Sequence, residues 1–193
     1  MKFHKKLIAA LVLMVPVLAN AHAGHGDTNG FVSGFVHPMF GLDHLLALLA
    51  LGFWVALSQR AVRLAAPMLV VIAMLVGASL GVLGFSFAGV EWGIAASVIL
   101  SGLAVTLRLP VTHLAALLPM IGFALCHGLA HGMEVPAGAS TVGFFAGFAV
   151  AAFLIMMSGM LVARGAVLLK AKHIHLWLGL IVTLLGGAML GLG

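Results

Sequence analysis

Charge is what this sequence has least of. Only 7% of its 193 residues are Asp, Glu, Lys or Arg, against about a quarter in soluble domains. With 64% apolar residues, polar side chains are too few to cover a water-soluble surface. A disordered chain is excluded by the same figures, because disorder needs charge to stay solvated. One cysteine, Cys126, excludes an intrachain disulfide framework and a Cys-rich zinc module. No G-x-x-x-x-G-K-[ST] phosphate loop occurs, so ATP hydrolysis through that motif is excluded. The net charge of +5 does not indicate a nucleic-acid partner, since Lys2, Lys5 and Lys6 sit in the first six residues and no basic patch remains. What the chain has in excess is long apolar runs and ten histidines against four acids.

The amino terminus follows a targeting pattern. Lys2, Lys5 and Lys6 precede an apolar stretch from Leu7 to Leu18 and the small-residue segment Ala19-Asn20-Ala21-His22-Ala23. That order predicts a secretory signal peptide over residues 1–23, its apolar core too short to span a bilayer. Residues 24–193 are then one compact membrane domain. Apolar runs at about 33–57, 64–84, 91–107, 111–131, 139–163 and 173–192 predict an all-α polytopic bundle of six transmembrane helices. The first, third and fifth connections carry Arg60, Arg63, Arg108, Arg164, Lys170 and Lys172, while the second and fourth carry Glu91 and Glu134. The positive-inside rule therefore places these basic residues on the cytoplasmic side and both ends of the mature chain outside. Trp54, Trp92 and Trp177 fall near span ends, where an indole suits the interface. Glycine pairs four apart (Gly30 and Gly34, Gly77 and Gly81, Gly143 and Gly147, Gly187 and Gly191) suit close helix packing or a homo-oligomer contact.

Two histidine–carboxylate clusters carry the chemistry. The first, His37-Pro38-Met39-Phe40-Gly41-Leu42-Asp43-His44, lies in the outer half of span one. An intramembrane Asp costs about 2.5–3.5 kcal/mol on insertion scales and calls for a partner. His37 and His44 share a face but stand about 10 Å apart on a straight helix, too far for one ion. Pro38 and Gly41 are the residues that kink or unwind such a helix and bring His37 closer. Asp43 points about 100° away from His44, as a charge-balancing ligand or an orienting partner. The second cluster, Cys126-His127-Gly128-Leu129-Ala130-His131-Gly132-Met133-Glu134, ends span four. His127 and His131 are one turn apart on one face, and Glu134 continues it; an i, i+4 His pair suits a transition metal. Spans one and four run in opposite directions, so both clusters fall at one depth and converge. His44, His127 and His131 are expected as the inner ligands, with His37 and Glu134 as capture or peripheral ligands.

The remaining candidates are weaker. Cys126 faces about 100° from His127 and is expected to pack, and Met39, Met120 and Met133 are expected in the core. His113 is placed low on span four, either an exit station or packing. His173 and His175 beside Lys170 and Lys172 read as a solvated basic edge, and His22 and His25 as a mobile capture segment or a cleavage remnant.

These motifs resemble those of the HupE/UreJ family, hydrogenase- and urease-accessory membrane proteins regarded as nickel or nickel/cobalt permeases. The resemblance runs over nearly the whole chain, through HPMFGLDHLLALLALG and HGLAHGMEVP. It implies uptake of Ni²⁺, with Co²⁺ or Zn²⁺ as alternatives, for metalloenzyme assembly and for a metallochaperone of hydrogenase or urease maturation. It carries over His37, Asp43, His44, His127, His131 and Glu134 as motif residues. Five residues separate His37 from Asp43-His44, where nickel–cobalt transporters of the H-x4-D-H type have four. Two other classes fit the donors: an intramembrane metal-dependent hydrolase and a metal-sensing membrane subunit. No H-E-x-x-H segment is present, and an enzyme is not expected.

Overall fold

A computed structural model describes residues 30–110 and 114–192. The expected signal peptide, His22, His25 and His113 lie outside the described residues. The described residues form seven α-helices: α1 (Gly30–Phe40), α2 (Leu42–Ala56), α3 (Arg60–Val82), α4 (Val90–Thr106), α5 (Leu118–Met133), α6 (Thr141–Leu168) and α7 (Ile174–Leu192), with a 3₁₀ turn at Leu114–Leu117 before α5. Among the described residues there is no strand.

Three helices, α3, α6 and α7, are each long and apolar enough to cross a membrane, and α1 with α2 qualifies as a fourth when the two are taken together. The first span expected over 33–57, with Pro38 and Gly41 as the residues able to kink it, is two helices bent by 74°. Pro38 lacks an N–H and weakens the helical ladder, and Gly41 takes an extended backbone (φ −70°, ψ 107°) as the N-cap of α2. Apolar helices α4 and α5 are shorter. Pro119 sits in the first turn of α5, where its missing N–H has no partner to lose.

Helix pairs α3–α5, α1–α6 and α4–α7 make the most extensive contacts, and α2 packs between α6 and α4. Small residues let the backbones touch. Gly77 and Gly81 of α3 lie against Leu125 and Leu129 of α5, and Gly128 and Gly132 of α5 lie against Met74 and Ala78 of α3. A Cβ at any of the four would meet backbone atoms of the opposite helix. On the α1–α6 seam, Gly30 and Gly34 meet Ser140 and Phe144, while Gly143 and Gly147 meet Phe31. Among the described residues Gly187 and Gly191 meet nothing within 4 Å, so there the fourth glycine pair makes no close contact.

Buried Val70, Met74, Phe148, Ala152 and Met156 form the main core, while Leu64, Val142, Leu168 and Leu184 point outward. An apolar exterior over apolar helices has its solvent in lipid. Met120 is buried as expected, but Met39 and Met133 are exposed. Met39 stands just before the helix break and Met133 in the last turn of α5, where no neighbouring helix covers them. Cys126 packs with Val90, Ile94, Leu129 and Ala130, as a small apolar side chain would. The two ends of the bundle differ in charge. Arg108, Lys170 and Lys172 gather at one end, whereas Asp43 and Glu91 share a pocket at the other.

Candidate metal centre

The break after Phe40 sets the site. Gly41 N–H still donates to His37 O at 3.0 Å and Gly41 O accepts from Leu45 N–H at 2.9 Å, so the chain turns without orphaning its backbone. The bend leaves His37 near the end of α1 and His44 in the first turn of α2, both directed at α5. On α5, His127 and His131 face the site while Gly128 and Gly132, one residue on from each, face α3. The HGLAHG segment therefore serves two faces: glycine lets α3 approach, and histidine fills the opposite side.

Three buried ring nitrogens converge. His44 Nε2 lies 2.9 Å from His127 Nδ1 and 2.5 Å from His131 Nε2. His44 is 1% exposed, His127 4% and His131 6%, so water does not satisfy them. One nitrogen of His44 carries a single proton or a single lone pair to share between two partners. Hydrogen bonding within the trio is therefore incomplete, whereas a cation would accept a lone pair from each. The three atoms lie within 4.8 Å of one another.

A second trio shares His131. Its other nitrogen, Nδ1, lies 2.6 Å from His37 Nε2 and 2.9 Å from Glu134 Oε2, and His37 Nε2 lies 3.2 Å from the same oxygen. These donors also lie within 4.8 Å of one another. Glu134 is exposed and His37 half-buried, so exposure falls from Glu134 through His37 and His131 to His44. Hydrogen bonds from His131 and His37 hold the Glu134 carboxyl well below the usual carboxylate range, partly offset by burial. Asp43 Oδ1 stands 3.0 Å from His44 Nδ1, yet the approach is off the direction of a hydrogen bond and Nδ1 stays unpartnered. All six residues expected from the sequence thus gather at one place, with Asp43 behind His44.

Three further residues shape the site and were not expected from the sequence. Ser97 of α4 donates to Ile94 O at 2.6 Å, and its oxygen lies 2.6 Å from His127 Nε2. A hydroxyl has one proton, so Ser97 accepts from His127 Nε2–H, which leaves the Nδ1 lone pair facing His44. From α6, Phe148 packs against His44 and His131, with ring centroids 6.3 Å and 5.2 Å away, and Phe144 lies 5.9 Å from His37. A Ser in an apolar run and two Phe one turn apart were the signals, neither distinguishable from ordinary packing.

Beyond His44 and His127 lies a cavity of about 290 Å³, lined by Ser97, Ser101, Met74, Met120 and apolar side chains. It reaches Trp54 and Leu109 toward the basic end, where Trp54 Nε1–H donates to Leu109 O at 2.7 Å. His175 and His173 take no part in the centre; His175 Nδ1 accepts from Arg108 at 2.9 Å, at that basic end.

A family model described as "HupE / UreJ protein" matches residues 9–189. A "Protein HupE" of Rhizobium leguminosarum bv. viciae is 38% identical over 163 residues, covering 82% of this chain and 83% of that protein. No solved structure matches the chain.

Proposed function

Because the chain belongs to the HupE/UreJ family, we propose that it is a permease importing a divalent transition-metal ion across the bacterial inner membrane. Nickel is the expected cargo, with cobalt or zinc as competitors, delivered to hydrogenase- or urease-type metalloenzyme maturation. The observation that carries this reading is the convergence of three buried imidazole nitrogens from α2 and α5 in an apolar interior. Such donors are costly to bury without a partner, and imidazole with carboxylate suits Ni, Co, Zn or Cu(II). In this reading residues 1–23 are removed as a signal peptide. The remaining chain crosses the bilayer six times with both ends outside, α1 and α2 together making the first crossing.

Mechanistically, Glu134 and His37 take the ion from the outer face together with His131 Nδ1. His131 Nε2, His44 Nε2 and His127 Nδ1 then receive it. A neutral imidazole has one lone pair, so His131 serves one trio at a time, and a single ion is handed inward as the lone pair changes nitrogen. Asp43 balances charge behind His44, and Ser97 fixes His127. The serine- and methionine-bearing cavity below is the route toward Trp54 and Leu109. Moving two charges through 100 mV is worth about 4.6 kcal/mol, enough to drive import without ATP.

The test is nickel accumulation by proteoliposomes containing the full protein, with a membrane potential imposed. Uptake should be lost in His44→Ala and His127→Ala variants that still insert and remain monodisperse. Unchanged uptake in both would reject the site; no uptake by the parent protein, with metal-dependent hydrolysis of a substrate instead, would favour an enzyme.

A further inference from the structure

We infer that the cavity between the C-terminal ends of α4 and α6 and the start of α7, at the basic end of the bundle, binds a phosphate-class anion. The cavity measures about 510 Å³, and Arg108, Lys170, Lys172 and His175 line it together with Trp54 and apolar side chains such as Phe53 and Val167. Among the described residues no carboxylate lines it, and no Lys or Arg pairs with an acid; Asp43 and Glu134 contact histidines at the far end. Like charges gathered without a counter-ion repel, so their convergence needs an anion to be favourable.

The backbone points the same way. Three helices of the chain end with one hydrogen-bond pattern, two of them at this cavity. In α3, Gly84 N–H donates to Gly81 O and Phe85 N–H to Leu80 O; in α4, Arg108 to Val105 O and Leu109 to Ala104 O; in α6, Lys170 to Val167 O and Ala171 to Ala166 O. This ending puts its first residue beyond the C-cap in the left-handed region, which glycine adopts without crowding. The end of α3 uses glycine (φ 86°), but α4 and α6 place Arg108 (φ 49°) and Lys170 (φ 51°) there. In a chain with 25 glycines, two unfavourable choices at two positions lining one cavity indicate a use for the side chains. Compensation of the helix dipole does not supply that use for Arg108, whose guanidinium leaves its own helix to donate to Lys172 O and His175 Nδ1. Arg has no acceptor, so His175 Nδ1 is the accepting nitrogen and Nε2 keeps a proton as a further donor. Ammonium, guanidinium and imidazole donors above an apolar wall match a phosphate diester of net negative charge, with no cation of its own, whose acyl chains lie along the helices; free phosphate offers the same oxygens without the chains.

Full-length protein in neutral detergent is melted with short-chain phosphatidylglycerol, with short-chain phosphatidylcholine and with inorganic phosphate. The proposal expects phosphatidylglycerol to raise Tm and phosphatidylcholine not to, with half-saturation weakening about fivefold for each cation removed. A rise with phosphatidylglycerol alone assigns a lipid headgroup; a rise with inorganic phosphate as well assigns the phosphate itself. The double variant Arg108→Gly/Lys170→Gly should lose the response while melting, without additive, no lower than the parent. A lower melt without additive would show that the two cations serve folding and would overturn the proposal. So would equal shifts with both lipids, or none with any additive. Nickel takes no part, so the outcome is independent of the transport reading.

Discussion

His44 Nε2 and His131 Nε2 lie 2.5 Å apart although they stand 87 positions apart in the chain. The contact joins the start of α2 to the end of α5 inside the apolar core, and the other donors are arranged around it.

Removing a member of the inner trio should abolish tight binding. His44→Ala or His127→Ala is expected to weaken nickel affinity on the order of 100-fold or more, measured by titration calorimetry on purified protein. Retained affinity in both would place the ion elsewhere.

Ser97 touches no expected ligand atom, yet it sets which nitrogen of His127 is free. Ser97→Ala should therefore weaken nickel binding by about 10- to 100-fold while the melting profile of the metal-free protein changes little. Nitrogen NMR of labelled histidine would read the mixed tautomers directly, and an unchanged His127 signal would remove this role.

The glycines beside the histidines make a contrasting pair of predictions. Gly128→Ala or Gly132→Ala puts a methyl into the backbone of α3 and should cost about 1–3 kcal/mol, seen as a lower Tm together with weaker nickel binding. Gly187→Ala, with open space around it, should stay within about 0.5 kcal/mol. Equal effects at the three positions would deny that the α3–α5 seam holds the site.

Protons should compete with the metal at imidazole and not at Glu134. Binding requires neutral rings, so affinity is expected to fall as the solution is acidified. Hydrogen bonds to Glu134 depress its carboxyl, so it stays ionised throughout that fall and adds no step of its own. Glu134→Gln should raise the nickel concentration for half-maximal uptake and leave the pH midpoint in place. A midpoint shift in that variant would assign the proton to Glu134.

Much of the arrangement was legible in the sequence. The His127–His131 spacing matches one helical turn, a local property, and both rings do face His44. Pro38 and Gly41 pointed to a distorted helix for equally local reasons, and the bend between α1 and α2 falls there. Its size was not legible, since 74° depends on how α1 settles on α6. Ser97, Phe144 and Phe148 were missed because their roles exist only across helix contacts. Gly128 and Gly132 were passed over although they follow directly on His127 and His131, and their partners Met74 and Ala78 sit some fifty residues earlier.

By itself the sequence determined the helical, apolar character of this protein, the residues able to hold a cation and their spacing along each helix, because composition and periodicity act within a few residues. Tertiary structure alone decided that His131 belongs to two donor sets, that a serine on a third helix chooses the tautomer of His127, and that Arg108 and Lys170 meet at one cavity. Those outcomes depend on which helices lie side by side, and that choice is made by close backbone contacts between distant segments.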